Sequence, residues 1–279
     1  YFEAYNNLGV VFNKLKNYSE AEKVLKKALQ LNPKFVEAYS NLGSVFTDQK
    51  KYSQAIKYFD QAIKINPNNA EVYYNLGVAF NELKNYSKAK KTLSKAIQLN
   101  PEFVEAYSNY AKVQENLRDY AGAIYSLSRA LDLQPNSYSI NINLGDICLN
   151  QKLYRKALRH YIKAISLNRD SFEGYSVLIL MLQNINKFAR AIKWAKRAVA
   201  RLPNNHEAHF SLGTLLNRAG YYINAEKHLQ KSLELYPLSE STLRIYGANL
   251  CGQGMLKLGI KNLKSALDLN PNSKLCNSG

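Results

Sequence analysis

Five asparagines stand at a fixed interval of 34 residues: Asn7, Asn41, Asn75, Asn109 and Asn143. A primary amide carries both a donor and an acceptor, so it can pair with a peptide unit. A row of such amides on one face would hold an extended backbone with little regard for its side chains. Asparagine in such a row also serves packing or solubility, and the spacing leaves both readings open. Tyr74, Asn81, Lys112 and Asp146 lie beside the series or a turn or two beyond it, and with the five asparagines they form the candidate peptide-binding set. Val177, Ser211 and Ile245 take the asparagine's place later in the chain.

Residues able to do covalent or metal chemistry are scattered. The histidines are His160, His206, His209 and His228. His206 and His209 could share a helix face, but no further ligand clusters with them in sequence, so no metal site is expected. The chain has no phosphate-cradling glycine loop and no Ser or Cys nucleophile motif. No catalytic residue and no cofactor is therefore expected. Cys148, Cys251 and Cys276 are odd in number and make no disulfide framework. Cys148 falls on a recurring apolar position, which fits a reducing compartment and an expected cytoplasmic location. No apolar stretch is long enough to span a bilayer.

The elements that must position the asparagines follow the same clock. Gly9, Gly43, Gly77, Gly145, Gly213 and Gly247 are in register, with Ala111 and Ile179 at the two remaining places. Ala21, Ala55, Ala89, Ala123, Ala157, Ala191 and Ala225 form a second series, with Gly259 in the eighth place. Pro33, Pro67, Pro101, Pro135, Pro203, Pro237 and Pro271 form a third, interrupted only at Arg169. In residues 36–69, Tyr39, Leu42, Val45 and Phe46 recur at helical spacing. Gly43 among them costs roughly 1 kcal/mol against Ala in mid-helix, so a neighbouring helix must approach closely there. Lys50 and Lys51 mark a turn, and a second helix carries Tyr52, Ala55, Ile56, Phe59, Ala62 and Ile63. Asn66-Pro67 ends it, because proline disfavours helical geometry in the residue before it.

This unit resembles a tetratricopeptide repeat. Tyr39, Leu42-Gly43, Phe46, Ala55, Phe59, Ala62 and Pro67 meet the family's pattern. The resemblance covers residues 2–273 as one array of eight repeats, 2–35, 36–69, 70–103, 104–137, 138–171, 172–205, 206–239 and 240–273, followed by a tail at 274–279. It implies an all-α fold, a right-handed α-solenoid of helix-turn-helix units. It also implies that first helices line a concave groove and second helices face outward. The fourth repeat departs with Tyr110-Ala111 and Gln114, the sixth with Leu178-Ile179 and Ala195, and the eighth with Leu256 and Gly259. Asn41-Leu42-Gly43 and Asn75-Leu76-Gly77 resemble the repeat arm of O-linked N-acetylglucosamine transferases. Chaperone-binding members use a cationic clamp on a carboxylate. Here Asn6, Val10, Asn41, Glu71 and Asn75 hold the corresponding places, so no such clamp is expected in the first three repeats.

The formal net charge is +17, from 38 Lys and Arg against 21 Asp and Glu, which raises a nucleic-acid or anionic-membrane hypothesis. The positions of the charges weaken it. Lys23, Lys57, Lys91, Arg159, Lys193, Lys227 and Lys261 share one second-helix position, and Lys27, Lys95, Arg129, Lys163, Arg197 and Lys231 share the one four later. Lys16, Lys50, Lys84, Arg118 and Lys152 lie at the turns. The excess therefore falls outside the groove, and neither nucleic acid nor membrane is the expected partner.

The leading expectation is a non-catalytic scaffold that binds an extended peptide or protein segment in its groove. One alternative is the substrate-recruiting arm of a larger glycosyltransferase-like enzyme. Another is an anion-binding scaffold that uses the basic outer face. The chain opens at Tyr1 inside a helix and stops in Asn277-Ser278-Gly279, which points to a piece of a longer protein. An apolar end left uncovered would favour self-association through the array ends.

Overall fold

The computed structural model describes residues 1–270; Pro271, Cys276 and the 274–279 tail lie outside them. Among the described residues there are sixteen helices and no strand. In order they are α1 (Phe2–Lys14), α2 (Tyr18–Leu31), α3 (Val36–Asp48), α4 (Tyr52–Ile65), α5 (Ala70–Glu82), α6 (Tyr86–Leu99), α7 (Val104–Asn116) and α8 (Tyr120–Leu133). Then follow α9 (Tyr138–Asn150), α10 (Tyr154–Leu167), α11 (Phe172–Asn184), α12 (Phe188–Arg201), α13 (His206–Arg218), α14 (Tyr222–Leu235), α15 (Glu240–Gly252) and α16 (Leu256–Leu269). The chain forms two compact units, Tyr1–Gln151 and the part from Lys152 onward. The first holds the pairs α1/α2, α3/α4, α5/α6 and α7/α8, then α9. The second holds α10, then the pairs α11/α12, α13/α14 and α15/α16.

Local chemistry sets the helix ends. Asn17, Asn85 and Asp119 open second helices by accepting a hydrogen bond from the amide three residues on. Asn69 and Asn205 do the same for first helices. First helices close in a left-handed residue: Lys16, Lys50, Lys84, Arg118, Lys152 and Asn186 all have φ between 56° and 60°, and Gly220 and Gly254 take the same place. Around Lys50 the amide of Lys51 reaches the Phe46 carbonyl at 2.8 Å and that of Lys50 the Thr47 carbonyl at 2.8 Å, a Schellman closure. The basic row at the turns is thus a row of helix caps.

Within a pair, packing is governed by one register: a first-helix residue faces the second-helix residue sixteen positions later. A methyl group at Gly43 would collide with the buried ring of Phe59. Gly9 stands in the same way against Leu25, Gly77 against Leu93, Gly213 against Leu229 and Gly247 against Leu263. The departures obey the same rule. Ala111 falls opposite Leu127, and Ile179 opposite Ala195, each of them buried. The sixth repeat therefore exchanges small-against-large for large-against-small and conserves the volume between α11 and α12. In the fourth repeat the aromatic of the earlier repeats is replaced by Gln114, whose Oε1 accepts from the Ser126 hydroxyl at 2.7 Å with both side chains buried. In the eighth, Gly259 is required because an alanine would meet the Gly247 carbonyl and the Cys251 sulfur.

The second unit also has a polar core contact. His209 Nε2 lies 3.1 Å from the Pro203 carbonyl, and its Nδ1 lies 3.1 Å from His228 Nδ1. A carbonyl only accepts, so His209 Nε2 carries the proton and its neutral Nδ1 accepts from His228 Nδ1–H. Burial is the main cause that lowers the pKa of His209; Lys231 adds to the shift, while the Pro203 contact and Glu234 oppose it. Burial lowers that of His228 as well, with His209, Lys196 and Lys227 adding to it.

Two outcomes follow from these contacts. Ala195→Leu should cost the second unit about 1–3 kcal/mol by overpacking, and Ile179→Gly should recover most of it in the double variant, read by urea unfolding. An uncoupled pair, with costs that add, would refute the register. For the histidines the folded pKa values lie below the ordinary 6.5, so the unfolded chain binds more protons in the window just below that value. Stability should thus fall as pH drops through about 6.5, and a His209→Gln/His228→Gln variant should flatten the profile of melting temperature against pH.

Candidate functional site

In the first unit the first helices are tied to one another by polar rungs between residues 35 apart. Asn41 Nδ2 donates to Asn6 Oδ1 at 2.7 Å, and Asn109 Nδ2 to the Tyr74 hydroxyl at 3.1 Å. Two turns on, Asn13 Nδ2 donates to Asp48 Oδ2 at 2.7 Å and Asn150 Nδ2 to Glu115 Oε1 at 3.0 Å. These bonds join α1 to α3, α5 to α7 and α7 to α9, along the face that the asparagine series occupies. The 34-residue period produces them, because equivalent positions of successive first helices lie side by side.

The asparagine series is therefore divided. Asn41 and Asn109 are half-buried and donate to the preceding repeat; Asn109 also reaches the Glu105 carbonyl of its own helix at 3.1 Å. Asn7 and Asn143 are exposed, and Asn75 is half-buried. Tyr74 is a rung partner: burial raises its pKa, Glu105 adds to this and the Asn109 bond opposes it, so the phenol stays neutral. Asn81 is buried, and its Oδ1 has no hydrogen-bond partner among the described residues. It occupies the position that Asn13 and Glu115 hold in the second series of rungs, away from solvent.

Four of the residues read from the sequence do converge. Asn109, Lys112, Asn143 and Asp146 line one cavity of about 360 Å3 between α7 and α9, with Ser108 and Glu115 beside them. Leu127 and Ile147 form part of its apolar lining. Lys112 and Asn143 are exposed, and Asp146 is half-buried. The cavity thus presents the exposed Asn143 amide, the Asn109 side-chain oxygen and the Lys112 ammonium, with the Asp146 and Glu115 carboxylates beside them, over an apolar base.

The second unit builds a different cavity, of about 430 Å3, from α11, α13 and the start of α15. Phe172, Val177, Leu180 and Phe210 give it an apolar wall, and Leu180 is 55% exposed. Ser211, Thr214, Ser239 and Thr242 give it hydroxyls, and the Ser239 and Thr242 hydroxyls lie 2.7 Å apart. The sequence set contains none of these residues. Their signal was the loss of asparagine at Val177 and Ser211, which changes the lining from amide to apolar. On α16, Leu256, Leu258 and Ile260 are exposed. Among the described residues no group of three His, Cys, Asp or Glu side chains could hold a metal ion, and no helix is long and apolar enough to cross a membrane.

Comparison with known proteins agrees with this geometry. A family model described as TPR repeat matches residues 43–83, and one described as Tetratricopeptide repeat matches residues 2–35 and 70–103. A further Tetratricopeptide repeat model matches residues 111–171 and 177–240. No curated protein matches the chain. Among solved structures, pilF of Pseudomonas aeruginosa is similar with a TM-score of 0.62 and 23% identity, over 74% of this chain and 94% of that one. MamA is similar with a TM-score of 0.54 and 23% identity, over 58% of this chain and 94% of that one. YrrB, described as a TPR protein with an unusual peptide-binding site, is similar with a TM-score of 0.51 and 21% identity, over 67% of this chain and 96% of that one. At these identities the likeness concerns the fold.

The division of the asparagines can be measured. Asn41→Ala removes the partner of the buried Asn6 amide and should lower the stability of the first unit by about 1–2 kcal/mol in urea unfolding. Asn143→Ala, on an exposed side chain, should stay within about 0.5 kcal/mol of the wild type. Equal effects would mean that the rungs carry no stability.

Proposed function

Because the chain belongs to the tetratricopeptide-repeat family, we propose that it is a non-catalytic scaffold whose first unit holds an extended protein segment across the cavity between α7 and α9. The observation that carries this reading is the convergence there of Asn109, Lys112, Asn143 and Asp146. The exposed Asn143 amide can pair with the backbone of a ligand whatever its sequence, and the exposed Lys112 favours an acidic residue beside it. Backbone capture of this kind needs an extended ligand, since a helix has already satisfied its own amides.

The second unit fits the same role by another chemistry. Its cavity, with Phe172, Leu180 and Phe210 beside hydroxyls, suits an apolar side chain whose neighbouring peptide groups meet Ser and Thr. The peptide-binding site named for YrrB lies in the same fold, and it supports a peptide as the class of ligand.

The test is a pull-down from a native lysate with the full chain as bait, identifying bound proteins by mass spectrometry. Lys112→Ala/Asn143→Ala/Asp146→Ala should lose specific partners by about tenfold or more in recovery, with helix content unchanged by circular dichroism. An unchanged partner set with the fold intact would remove the α7/α9 cavity from the binding surface.

A further inference from the structure

The basic second-helix face has a feature that groove binding does not use. Between α4 and α6 lies an open cavity of about 700 Å3. Tyr73 and Phe80 of α5 form its floor, Asp60 of α4 one wall, and Lys88, Lys91 and Lys95 of α6 the other. Helix α6 carries four lysines and no acidic residue. Lys90 is bound to Asp119 at 3.2 Å, on the side away from the cavity lining. None of the other three lies within salt-bridge distance of a described carboxylate. The Lys88 ammonium lies 5.5 Å from the centre of the Phe80 ring.

The neighbouring repeats show what is special here. One repeat earlier the corresponding groove, of about 510 Å3, has Phe46 on its floor. There Tyr58 stacks on Phe46 with ring centres 5.2 Å apart, and Lys26 is ion-paired with Glu22. One repeat later Gln114 and Ser126 close the equivalent place with a buried hydrogen bond. In the α4/α6 groove Thr92 stands in the register of Tyr58, and Ile56 in that of Glu22. The ring partner is absent, and the groove's acid, Asp60, stands in the register of Lys26 and not of Glu22. An apolar floor is left open beneath three cations, of which Lys88 acts on the Asp60 carboxylate and Lys95 donates to Gln98 Oε1 at 3.1 Å.

We propose that the α4/α6 groove is a second docking site, which takes an acidic protein segment with an apolar side chain on the Tyr73–Phe80 floor and carboxylates on Lys88, Lys91 and Lys95. The charges select the class. Lysines at 88, 91 and 95 recur along one helix face at about 5–10 Å, which suits carboxylates on alternate residues of an extended segment. A bilayer surface is flat and does not reach a recessed floor. The site is independent of the first-helix groove, so either can fail alone.

The experiment is fluorescence anisotropy on the full 279-residue chain with a labelled Asp/Glu-rich dodecapeptide bearing a central leucine. Its Asn/Gln counterpart should bind at least about tenfold more weakly, and added salt should weaken the acidic peptide. Lys91→Glu/Lys95→Glu should reduce affinity by about tenfold or more, with Lys91→Gln/Lys95→Gln as the milder version if the double reversal disturbs folding. Thr92→Tyr, which restores the ring cover of the preceding repeat, should reduce it by about threefold or more. Lys57→Glu in the preceding groove and Lys112→Ala/Asn143→Ala in the first-helix groove should each change it less than about twofold. Equal affinity for the neutral peptide, or indifference to the Lys91/Lys95 substitutions in a folded variant, overturns the proposal. So does tighter, Lys91/Lys95-dependent binding of a single-stranded oligonucleotide or of phosphatidylserine vesicles, which would assign these lysines to that partner.

Discussion

The close approach of paired helices, at one glycine on the first and one large side chain on the second, is the contact from which the rest of the structure follows. It fixes the register at sixteen residues and so decides which face of each first helix turns inward. Leu42, Val45 and Phe46 are then buried on the inner stripe, while residues beside that stripe meet the next first helix. The contact varies by one methyl at Ala111 against Leu127, and larger changes come in compensated form. Ile179 with Ala195 reverses the sizes, and Gln114 with Ser126 replaces ring stacking by a buried hydrogen bond. In a close-packed interior either partner changed alone leaves a cavity or a clash.

Repetition then makes function a matter of deviation. Each repeat presents the same positions, so a surface becomes distinct where one repeat departs from its neighbours. The α7/α9 cavity lies at the repeat that has Ala111 in place of glycine and Lys112 beside it. The second unit's apolar cavity lies where Val177 and Ser211 replace asparagine. The α4/α6 groove opens where Thr92 replaces the tyrosine that covers the preceding floor. Three surfaces of different chemistry thus arise on one scaffold without a change of fold.

The charge of the chain is distributed by the same logic. Its turn row has a structural task, since Lys16, Lys50, Lys84, Arg118 and Lys152 hold the left-handed residue that closes first helices. A long, solvated side chain is tolerated there because it points out of the turn. Of the charges on α6, Lys90 is held by Asp119, while Lys88, Lys91 and Lys95 border an open groove. A count of charges does not separate these roles; the partners of each side chain do.

The sequence by itself determined the helix pairs and their family, because a 34-residue repeat of glycine, alanine and proline reports local sterics and close approach, which are written in residue type. It also named four residues of the α7/α9 cavity, since residues one helical turn apart on a regular helix must be neighbours. It did not distinguish Asn41 and Asn109, tied to the preceding repeat, from the exposed Asn7 and Asn143, nor did it show that Asn81 is buried. Those differences depend on which side chain of the adjacent helix lies within about 3 Å, a distance set by packing between repeats and invisible in the period. The open floor under Phe80 is of the same kind. Its residues are ordinary members of the pattern, and only tertiary structure shows that the ring covering the preceding floor has no counterpart there.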